Sequence, residues 1–105
     1  YVGQVKNNKP NGFGVQTFGY GNKYEGEWQN GMKHGKGSQI YSHGDKYEGE
    51  WKNGMFDGFG SMVFSHGAKY KGEWKESSFH GKGTLTLPEG DKKEGIFKKG
   101  VFQES

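Results

Sequence analysis

The chain of 105 residues contains no cysteine, which excludes disulfide bonds and thiolate metal sites within it. The same absence allows a reducing compartment without requiring one. No apolar run approaches the roughly 20 residues that a membrane-spanning helix needs. Arginine is also absent, and 15 lysines against 12 acidic residues leave a formal net charge of +3. This excess is too small to indicate a nucleic-acid partner, and no nucleic-acid-binding motif is present.

Aliphatic side chains are scarce as well. Only 29% of the chain is hydrophobic, against roughly 45–50% apolar residues, glycine included, in ordinary globular domains. Glycine contributes 21 residues, and aromatic residues make up 16% of the chain. A core must therefore be built mainly from Tyr, Trp and Phe rings that lie against glycines.

What the sequence does contain is a repeat. The stretch YEGEWKNGMFDGFGSMVFSHGAK begins at Tyr47, and close copies begin at Tyr24 and Tyr70, a step of 23 residues in each direction. The same step divides the chain into repeats 1–23, 24–46, 47–69 and 70–92 and a partial fifth at 93–102. A fixed period of this length indicates an array of supersecondary units. We interpret residues 1–105 as one repeat domain, cut from a longer protein that could carry a separate catalytic domain.

Each repeat has the pattern of a β-hairpin. Tyr24, Gly26 and Trp28 alternate with polar residues, as in a strand with one buried face. A second alternating run follows the six residues NGMKHG, in which Asn30-Gly31 and Gly35 can adopt the positive φ angles of a tight reversal. No segment has helical periodicity. The sequence predicts an all-β fold, a single-layer antiparallel meander of about nine strands.

The glycines suggest a register for these strands. If Gln29 faces Lys36, then Trp28 faces Gly37 and Tyr24 faces Tyr41. This register predicts two rows on one face: Trp28, Gly37, Trp51, Gly60 and Trp74, and Tyr24, Tyr41, Tyr47, Phe64, Tyr70 and Leu87. We expect indoles to lie flat over glycines and tyrosines to pack edge to face. Stacked copies would bury a stripe that one hairpin cannot bury alone.

The opposite face is predicted to be charged. It carries rows of like charge: Glu27, Glu50 and Glu73; Glu25 and Glu48; and Lys23, Lys46, Lys69 and Lys92. Two interpretations remain open for this face, a solvated surface or a lysine rail for an anionic ligand.

The pattern Y-x-G-E-W-x-N-G-x-x-H-G-x-G resembles the MORN (membrane occupation and recognition nexus) repeat. The match is strong at Tyr24–Gly37 and Tyr47–Gly60, whereas Val5, Lys93 and Phe97 depart from the pattern near the ends. The resemblance implies a rod-like, single-sheet scaffold that binds partner proteins, self-associates in some members, and is linked to membranes and the cytoskeleton. We accordingly expect a cytoplasmic location, in association with the cytoskeleton or a membrane.

Residues for catalysis or cofactors are not apparent. The GxG triplets that begin at Gly35, Gly58 and Gly81 lack the third glycine and the following helix of a dinucleotide site. His34 and His80 occupy the same turn position two repeats apart, too far to share a metal. We expect no enzyme activity, no cofactor and no metal in this segment.

The predicted contact surface is the concave aromatic face. Its candidate partner-binding residues are Tyr24, Trp28, Gln39, Tyr41, Tyr47, Trp51, Met62, Phe64, Tyr70, Trp74, Leu85 and Leu87. A competing interpretation assigns the Tyr and Trp rings chiefly to the core. Positions that differ among repeats, such as Gln16, Gln39, Met62 and Leu85, would then specify a helix or peptide partner.

Two further partners are predicted. Anionic lipid headgroups are the alternative ligand, and their candidate contacts are Lys92, Lys93, Lys98 and Lys99. A second copy of the chain could pair with an open edge, at Tyr1–Lys6 or Glu94–Lys98, because unpaired strand edges favour further pairing.

Overall fold

The fold is a single open antiparallel sheet. The computed structural model describes residues 1–103, and within them ten strands pair in chain order. The strands are β1 (Val2–Lys6), β2 (Lys9–Thr17), β3 (Lys23–Gln29), β4 (Met32–Ile40), β5 (Lys46–Lys52), β6 (Met55–Val63), β7 (Lys69–Lys75), β8 (Ser78–Thr86), β9 (Lys92–Lys98) and β10 (Val101–Phe102). A short 3-10 turn at Gly19–Gly21 precedes β3. The all-β meander is confirmed, with ten strands where about nine were predicted.

Two-residue turns close the hairpins. Asn30 and Gly31 have φ angles of 50° and 82°, as in the tight turns that match the twist of the flanking strands. The next hairpins turn at Asn53-Gly54 and at Glu76-Ser77, also with positive φ throughout. Because this turn is shorter than the six-residue loop that the sequence suggested, β4 begins at Met32.

The predicted register is wrong by two residues at Tyr24 and by four at Gln29, which pairs with Met32 instead of Lys36. Tyr24 pairs with Gln39 instead of Tyr41, and Gly26 pairs with Gly37. Tyr41 lies beyond the end of β4. Since a slip of two or four residues preserves the alternation of side chains, each residue remains on the face to which the sequence assigned it.

The residues gained by the shorter turn form a bulge in each of β2, β4, β6 and β8. The register shifts between Gly26 and Trp28, where β4 contains the extra residues. The Lys36 N–H in this bulge donates a hydrogen bond to the Glu27 carboxylate at 2.8 Å. Lys82 and Glu73 repeat the contact at 2.7 Å. Glu27 and Glu73 therefore support the strand bend as well as carrying charge.

A continuous row of glycines crosses the sheet. Its members pair directly with one another: Gly3, Gly14, Gly26, Gly37, Gly49, Gly60, Gly72, Gly83 and Gly95. A Cβ atom at Gly37 would collide with the Tyr24 ring, and one at Gly60 would collide with the Tyr47 ring. The tyrosines, not the indoles, lie over these glycines, which corrects the predicted row of Trp and Gly.

Tyr and Trp rings alternate in an edge-to-face chain along this side of the sheet. The Tyr47 ring meets Trp51 of its own repeat at 5.2 Å and Trp74 of the next repeat at 5.3 Å, both nearly perpendicular. Each indole also donates to a glycine carbonyl of the preceding repeat, as Trp51 does to Gly37 at 3.0 Å. The tryptophans thus join neighbouring repeats through packing and a hydrogen bond.

The row of packed rings ends differently at the two edges of the sheet. Val5 occupies the Trp position in the first repeat and is 62% exposed. Phe97 occupies that position after the fourth repeat and is buried at 5.2 Å from the Tyr70 ring. Phe97 lacks an indole N–H, so the hydrogen bond that joins the inner repeats is not made by its side chain.

Candidate functional site: the two faces of the sheet

The two faces of the sheet differ in which side chains they expose. We call the side with the Tyr and Trp rings the ring face, and the opposite side the trough face. The largest buried side chains are on the ring face: Tyr24, Trp28, Tyr47, Trp51, Tyr70, Trp74 and Phe97. The exposed large apolar side chains within the paired strands β2–β9 are on the trough face: Phe13, Met32, Ile40, Met55, Phe59, Val63 and Ile96.

Most of the residues predicted to contact a partner belong to the core. Tyr24, Tyr47 and Tyr70 are fully buried, and the three tryptophans are nearly so. The more accessible members of the predicted set are Tyr41, Phe64, Leu85 and Leu87. Three of these four follow the ends of strands, so the accessible ring-face surface lies near the turns.

Two predicted specificity positions are also buried. Met62 is 6% exposed and belongs to the core cluster, and Gln39 is 2% exposed. The expectation that Met62 lies clear of the ring packing is therefore wrong, because the register places it directly opposite Tyr47. Leu85 is only half-buried, so it remains the better ring-face position for a substitution that tests binding.

An apolar hollow of about 290 Å³ lies on the ring face, and another of about 370 Å³ lies beside Phe18, Trp28 and Lys33. The first lies between the third and fourth repeats and is lined by Phe56, Met62, Phe64, Trp74, Ser77, Ser78, Phe79 and Gly100. Phe56 stacks on Tyr47 at 4.0 Å, and Phe79 stacks on Tyr70 at the same distance. These stacked phenylalanines fill most of the room beside the tyrosines.

The second repeat has a lysine where the later repeats have phenylalanine. The Lys33 Nζ lies 4.8–5.3 Å from the centres of the Phe18, Tyr24 and Trp51 rings. It donates to Gln39 Oε1 at 2.8 Å. Burial lowers the pKa of Lys33. Sequence reasoning missed this site, although Lys33 and Gln39 stand 23 residues before Phe56 and Met62.

The hydroxyls of Tyr24, Tyr47 and Tyr70 are titratable groups held in the core. Each of the three donates to the backbone carbonyl three residues later, as Tyr47 does to Glu50 at 2.8 Å. Burial, with the nearby Glu50 charge, raises the pKa of Tyr47 well above its ordinary value. Burial, with the Glu73 charge, raises the pKa of Tyr70 to about 12. The neutral hydroxyl is therefore the form that the fold requires.

The trough face carries two long clefts, which together span most of the sheet. The first, of about 470 Å³, is lined by Phe13, Glu25, Gly26, Lys36, Gly37, Ser38, Glu48, Gly49, Glu50, Phe59, Gly60 and Ser61. The second, of about 520 Å³, is lined by Phe59, Lys71, Gly72, Lys82, Gly83, Thr84, Glu94, Gly95 and Ile96. We call the two together the trough. Phe59 belongs to both clefts and therefore lies near the middle of the trough.

Two rows of side chains form the walls of the trough, and the glycine row forms its floor. One wall, the Glu25 row, consists of Glu25, Ser38, Glu48, Ser61, Lys71, Thr84 and Glu94. The other, the Phe59 row, consists of Phe13, Glu27, Lys36, Glu50, Phe59, Glu73, Lys82 and Ile96. Phe13 and Phe59 are 54% and 53% exposed. Sequence reasoning missed both, although lysine occupies their position in the second and fourth repeats.

Charge changes along the trough. Glu25, Glu48 and Glu50 outnumber the single Lys36 in the first cleft. Lys71 and Lys82 outnumber the single Glu94 in the second. The change arises largely at Lys71, because Glu occupies that repeat position at Glu25 and Glu48. Because Glu73 of the Phe59 row also faces the second cleft, the trough is acidic over β3–β6 and only weakly basic over β7–β8.

The four lysines proposed for lipid contact do not share one surface. Lys92 and Lys98 lie at opposite ends of β9, about 20 Å apart for six residues of strand. Lys93 pairs with Leu85 on the ring face. Lys99 lies in the following turn, with a φ of 49°.

A longer row of lysines lies along the edge of the trough face. Lysine alternates there with aliphatic residues and threonine: Lys23, Ile40, Lys46, Val63, Lys69, Thr86 and Lys92. We call this set the lysine row. It contains the four lysines of the predicted rail, and residues of β4, β6 and β8 lie between them.

The turns beside the lysine row are joined by side-chain hydrogen bonds. The Ser65 N–H donates to Asp45 Oδ1 at 2.8 Å, and His43 Nε2 lies 2.8 Å from Asp45 Oδ2. Burial opposes ionisation of Asp45, but the hydrogen bonds from Ser65 and His43 lower its pKa overall. In the next pair of turns Ala68 replaces Asp45, and Pro88, which has no N–H, replaces Ser65. Donor and acceptor are thus lost together, and no polar group is left unpaired by the change.

The predicted self-association edges differ in accessibility. β1 forms one edge of the sheet and lies open to solvent along its length. β9 is not an edge strand, because β10 pairs with Lys98 and Phe97. The remaining open part of β9 precedes Ile96, whose carbonyl accepts a hydrogen bond from the Gln103 N–H. Pairing with a second copy remains a prediction for both edges.

The repeat pattern matches a known family. The family model for the MORN repeat matches residues 1–23, 24–46, 47–69 and 70–92, which confirms the resemblance inferred from the sequence. No curated protein matches the chain. Among residues 1–103 there is no helix with the length and apolar character of a membrane span. MORN repeats are in general non-catalytic and are associated with scaffolds for protein and membrane interactions.

Proposed function

The chain belongs to the MORN-repeat family, and from that premise we propose that it is a non-catalytic scaffold that binds a peptide segment of a partner protein in the trough. Its occupant contacts Phe59 at the centre and Phe13 towards the first repeat. The observation that carries this proposal is the exposure of both phenylalanines, 53% and 54%, beside the trough floor.

Exposed aromatic side chains with a polar surround are typical of contact sites. Phe59 lines both clefts, and Glu50, Glu73 and Lys82 lie around it. Neither Phe13 nor Phe59 is needed for the alternating ring packing of the core, since both lie on the opposite side of the sheet. A partner that contacts these two residues would therefore not disturb the packing of the core.

The ring face is the competing contact surface. Its rings are engaged with one another, and the hollow beside Phe64 and Phe79 is smaller than either cleft of the trough. A partner there would gain most of its contact area from Phe64, Leu85 and neighbouring residues near the turns. The experiment that tests our proposal should compare the two faces directly.

The repeats themselves supply matched substitutions for this comparison. Phe59→Lys places on the trough face the residue already present at the same position as Lys36 and Lys82. Leu85→Gln places on the ring face the residue present at the same position as Gln39. Both changes therefore introduce a residue that another repeat accommodates.

Peptides selected from a random display library against the immobilised chain provide the ligands. We expect Phe59→Lys to weaken the binding of these peptides at least about tenfold, as for a central aromatic contact. Leu85→Gln should leave their affinity unchanged. Loss of binding in Leu85→Gln but not in Phe59→Lys would assign the contact to the ring face, and an absence of any selectable peptide would contradict the proposal.

Anionic lipid is a second candidate ligand, favoured by one observation. Exposed Ile40 and Val63 lie between the lysines of the lysine row, so cationic and aliphatic groups alternate along one margin of the sheet. We propose that this margin, which includes Lys92, contacts anionic headgroups. Sedimentation with phosphatidylserine vesicles should remove protein from solution at low salt and release it at high salt. Equal binding to neutral vesicles would contradict an electrostatic contact.

A further inference from the structure

The trough is narrow in the direction along the strands. Its walls are residues two positions apart, such as Glu25 and Glu27, which places them about 6.6–6.8 Å from each other. An α-helix with its side chains is about 10–12 Å across and would rest on the walls above the glycine floor. The backbone of an extended chain is narrower than a helix and can approach the floor more closely.

The trough also has a fixed period. Each repeat of 23 residues contributes two strands, so equivalent positions recur about every 9.6 Å across the sheet. A polyproline II helix advances about 3.1 Å per residue with three residues per turn, or about 9.3 Å per turn. One turn of such a helix therefore matches one repeat, and every third peptide residue meets an equivalent position. An α-helix advances about 6.4 residues over the same distance, which is not a whole number of turns.

In the second, third and fourth repeats, one wall residue per repeat carries a hydroxyl group. Ser38, Ser61 and Thr84 occupy equivalent positions in the Glu25 row. Backbone carbonyls of a polyproline II segment have no internal hydrogen-bond partners and can accept hydrogen bonds from these hydroxyls. The walls thus recognise an extended backbone once in each turn.

The charge of the trough gives the occupant a direction. The acidic cleft around Glu25, Glu48 and Glu50 favours basic residues, and the basic cleft around Lys71 and Lys82 favours acidic residues. Phe59, between the two clefts, favours an apolar residue or a proline ring. From width, period and charge together, we infer that the trough binds a proline-rich segment in polyproline II conformation, basic at one end and acidic at the other. This inference rests on the proposed function and specifies its partner.

Synthetic peptides of defined conformation test the inference. The probe is a peptide of about 12 residues, four turns of polyproline II, that repeats Xaa-Pro-Leu with Arg as Xaa in one half and Glu in the other. It is made in both charge orders, because the chain direction of the occupant is not fixed by the trough. The control replaces every Pro by Ala, which keeps the charges and permits an α-helix.

Affinity is measured by titration calorimetry for the unaltered chain and for Phe59→Lys. We expect one charge order of the proline peptide to bind at least about tenfold more tightly than its alanine control, and Phe59→Lys to remove that binding. Equal or tighter binding of the alanine peptide would overturn the inference. If that binding were lost in Phe59→Lys, the proposed scaffold function would stand with a helical occupant. Failure of both synthetic peptides, while display-selected peptides bind through Phe59, would likewise overturn only the inference.

Lys71→Glu tests the charge direction separately. It introduces the residue found at the same repeat position as Glu25 and Glu48, and Lys71 is exposed, so the fold should be unaffected. We expect the variant to bind the Arg-Glu peptide several-fold more weakly and a peptide with Arg in both halves more tightly. Unchanged affinities for both peptides would contradict the proposed direction.

Discussion

Phe56 and Phe59 lie three residues apart in β6 and have different environments. Phe56 is 9% exposed and stacks on Tyr47 of the ring face. Phe59 is 53% exposed and lines the trough. The same side chain in the same strand therefore supports the fold on one face and remains available on the other. The alternation of a β-strand is enough to separate the two roles.

The repeats tolerate change differently on the two faces. Tyr and Trp recur unchanged through the inner repeats, as at Tyr24, Tyr47 and Tyr70. The position of Phe59 is occupied alternately by phenylalanine and lysine. A ring-face residue must fit between two neighbouring repeats, whereas a trough residue meets mainly solvent in the free chain. We therefore expect stability to depend chiefly on the ring face and recognition chiefly on the trough.

Trp51→Ala should have the largest effect on stability. It removes a side chain that is 4% exposed, its edge-to-face contacts with two tyrosines, and its hydrogen bond to the Gly37 carbonyl. We expect the free energy of unfolding to fall by about 3–5 kcal/mol, measured by urea denaturation. The matched change on the trough face, Phe59→Ala, should alter it by only about 0.5 kcal/mol or less. If the two variants lost similar amounts of unfolding free energy, both faces would contribute equally to stability, contrary to this prediction.

Gly60→Val tests the close approach of the Tyr47 ring to the glycine row. A Cβ atom there would collide with the Tyr47 hydroxyl and ring, so the ring must move away from Trp51 and Trp74. We expect a loss of about 1–3 kcal/mol and a lower melting temperature. Gly54→Val is not a suitable control because of its positive φ. Ser61→Val, one residue along on the trough face, is suitable and should be nearly neutral. An equally stable Gly60→Val would show that the ring packing is looser than described.

Alkaline pH should weaken the packing of the ring face. Tyrosines in the unfolded chain ionise near pH 10, whereas burial raises the pKa of Tyr70 to about 12 in the folded chain. Above pH 10 the unfolded state binds fewer protons than the folded state, so stability falls as pH rises towards 12. Urea denaturation at a series of pH values, with tyrosinate absorbance at 295 nm, measures both quantities. Ionisation of all tyrosines near pH 10 without unfolding would contradict their burial.

The double variant Phe56→Lys with Met62→Gln compares the second and third repeats within the ring face. The pair transfers the arrangement of Lys33 and Gln39 into the third repeat, where the amine can bond to the new amide. We expect Phe56→Lys alone to be less stable than the double variant by about 1 kcal/mol, the worth of that hydrogen bond. Melting temperatures of the single and double variants measure the difference. If adding Met62→Gln lowers stability further, the site at Lys33 depends on Phe18, whose counterpart 23 residues later is Tyr41.

Much of the fold could be predicted because the repeat constrains it. The 23-residue period, the alternation around Tyr24 and Trp28, and the glycine turns together predicted an antiparallel meander with the correct face for every strand. The register was wrong because NGMKHG was interpreted as one loop. Asn30-Gly31 alone is a strong signal for a two-residue turn, and the remaining residues form a bulge. A bulge depends on pairing with two neighbouring strands, which a single hairpin sequence does not display.

The candidate site was harder to predict, for a physical reason. Aromatic residues were assigned to partner contact because rings dominate interfaces, but the same rings are needed to bury a single-layer sheet. Only the distance between the rings shows that Trp51 and Tyr47 pack edge to face and cover each other. Phe13 and Phe59 were not singled out from the sequence, because their exposure depends on the side of the strand on which the bulge leaves them.

The central claim is that one face maintains the fold and the other binds the partner, and two substitutions in β6 test it most directly. Melting temperature and affinity for display-selected peptides are measured for Phe56→Lys and Phe59→Lys, two identical changes on opposite faces. We expect Phe56→Lys to lower the melting temperature by several degrees, about 4–8 °C per kcal/mol for a domain of this size, while the folded protein keeps its affinity. Phe59→Lys should keep the melting temperature and lose the affinity. The reverse outcome, a stable Phe56→Lys without binding and an unstable Phe59→Lys with binding, would contradict the account.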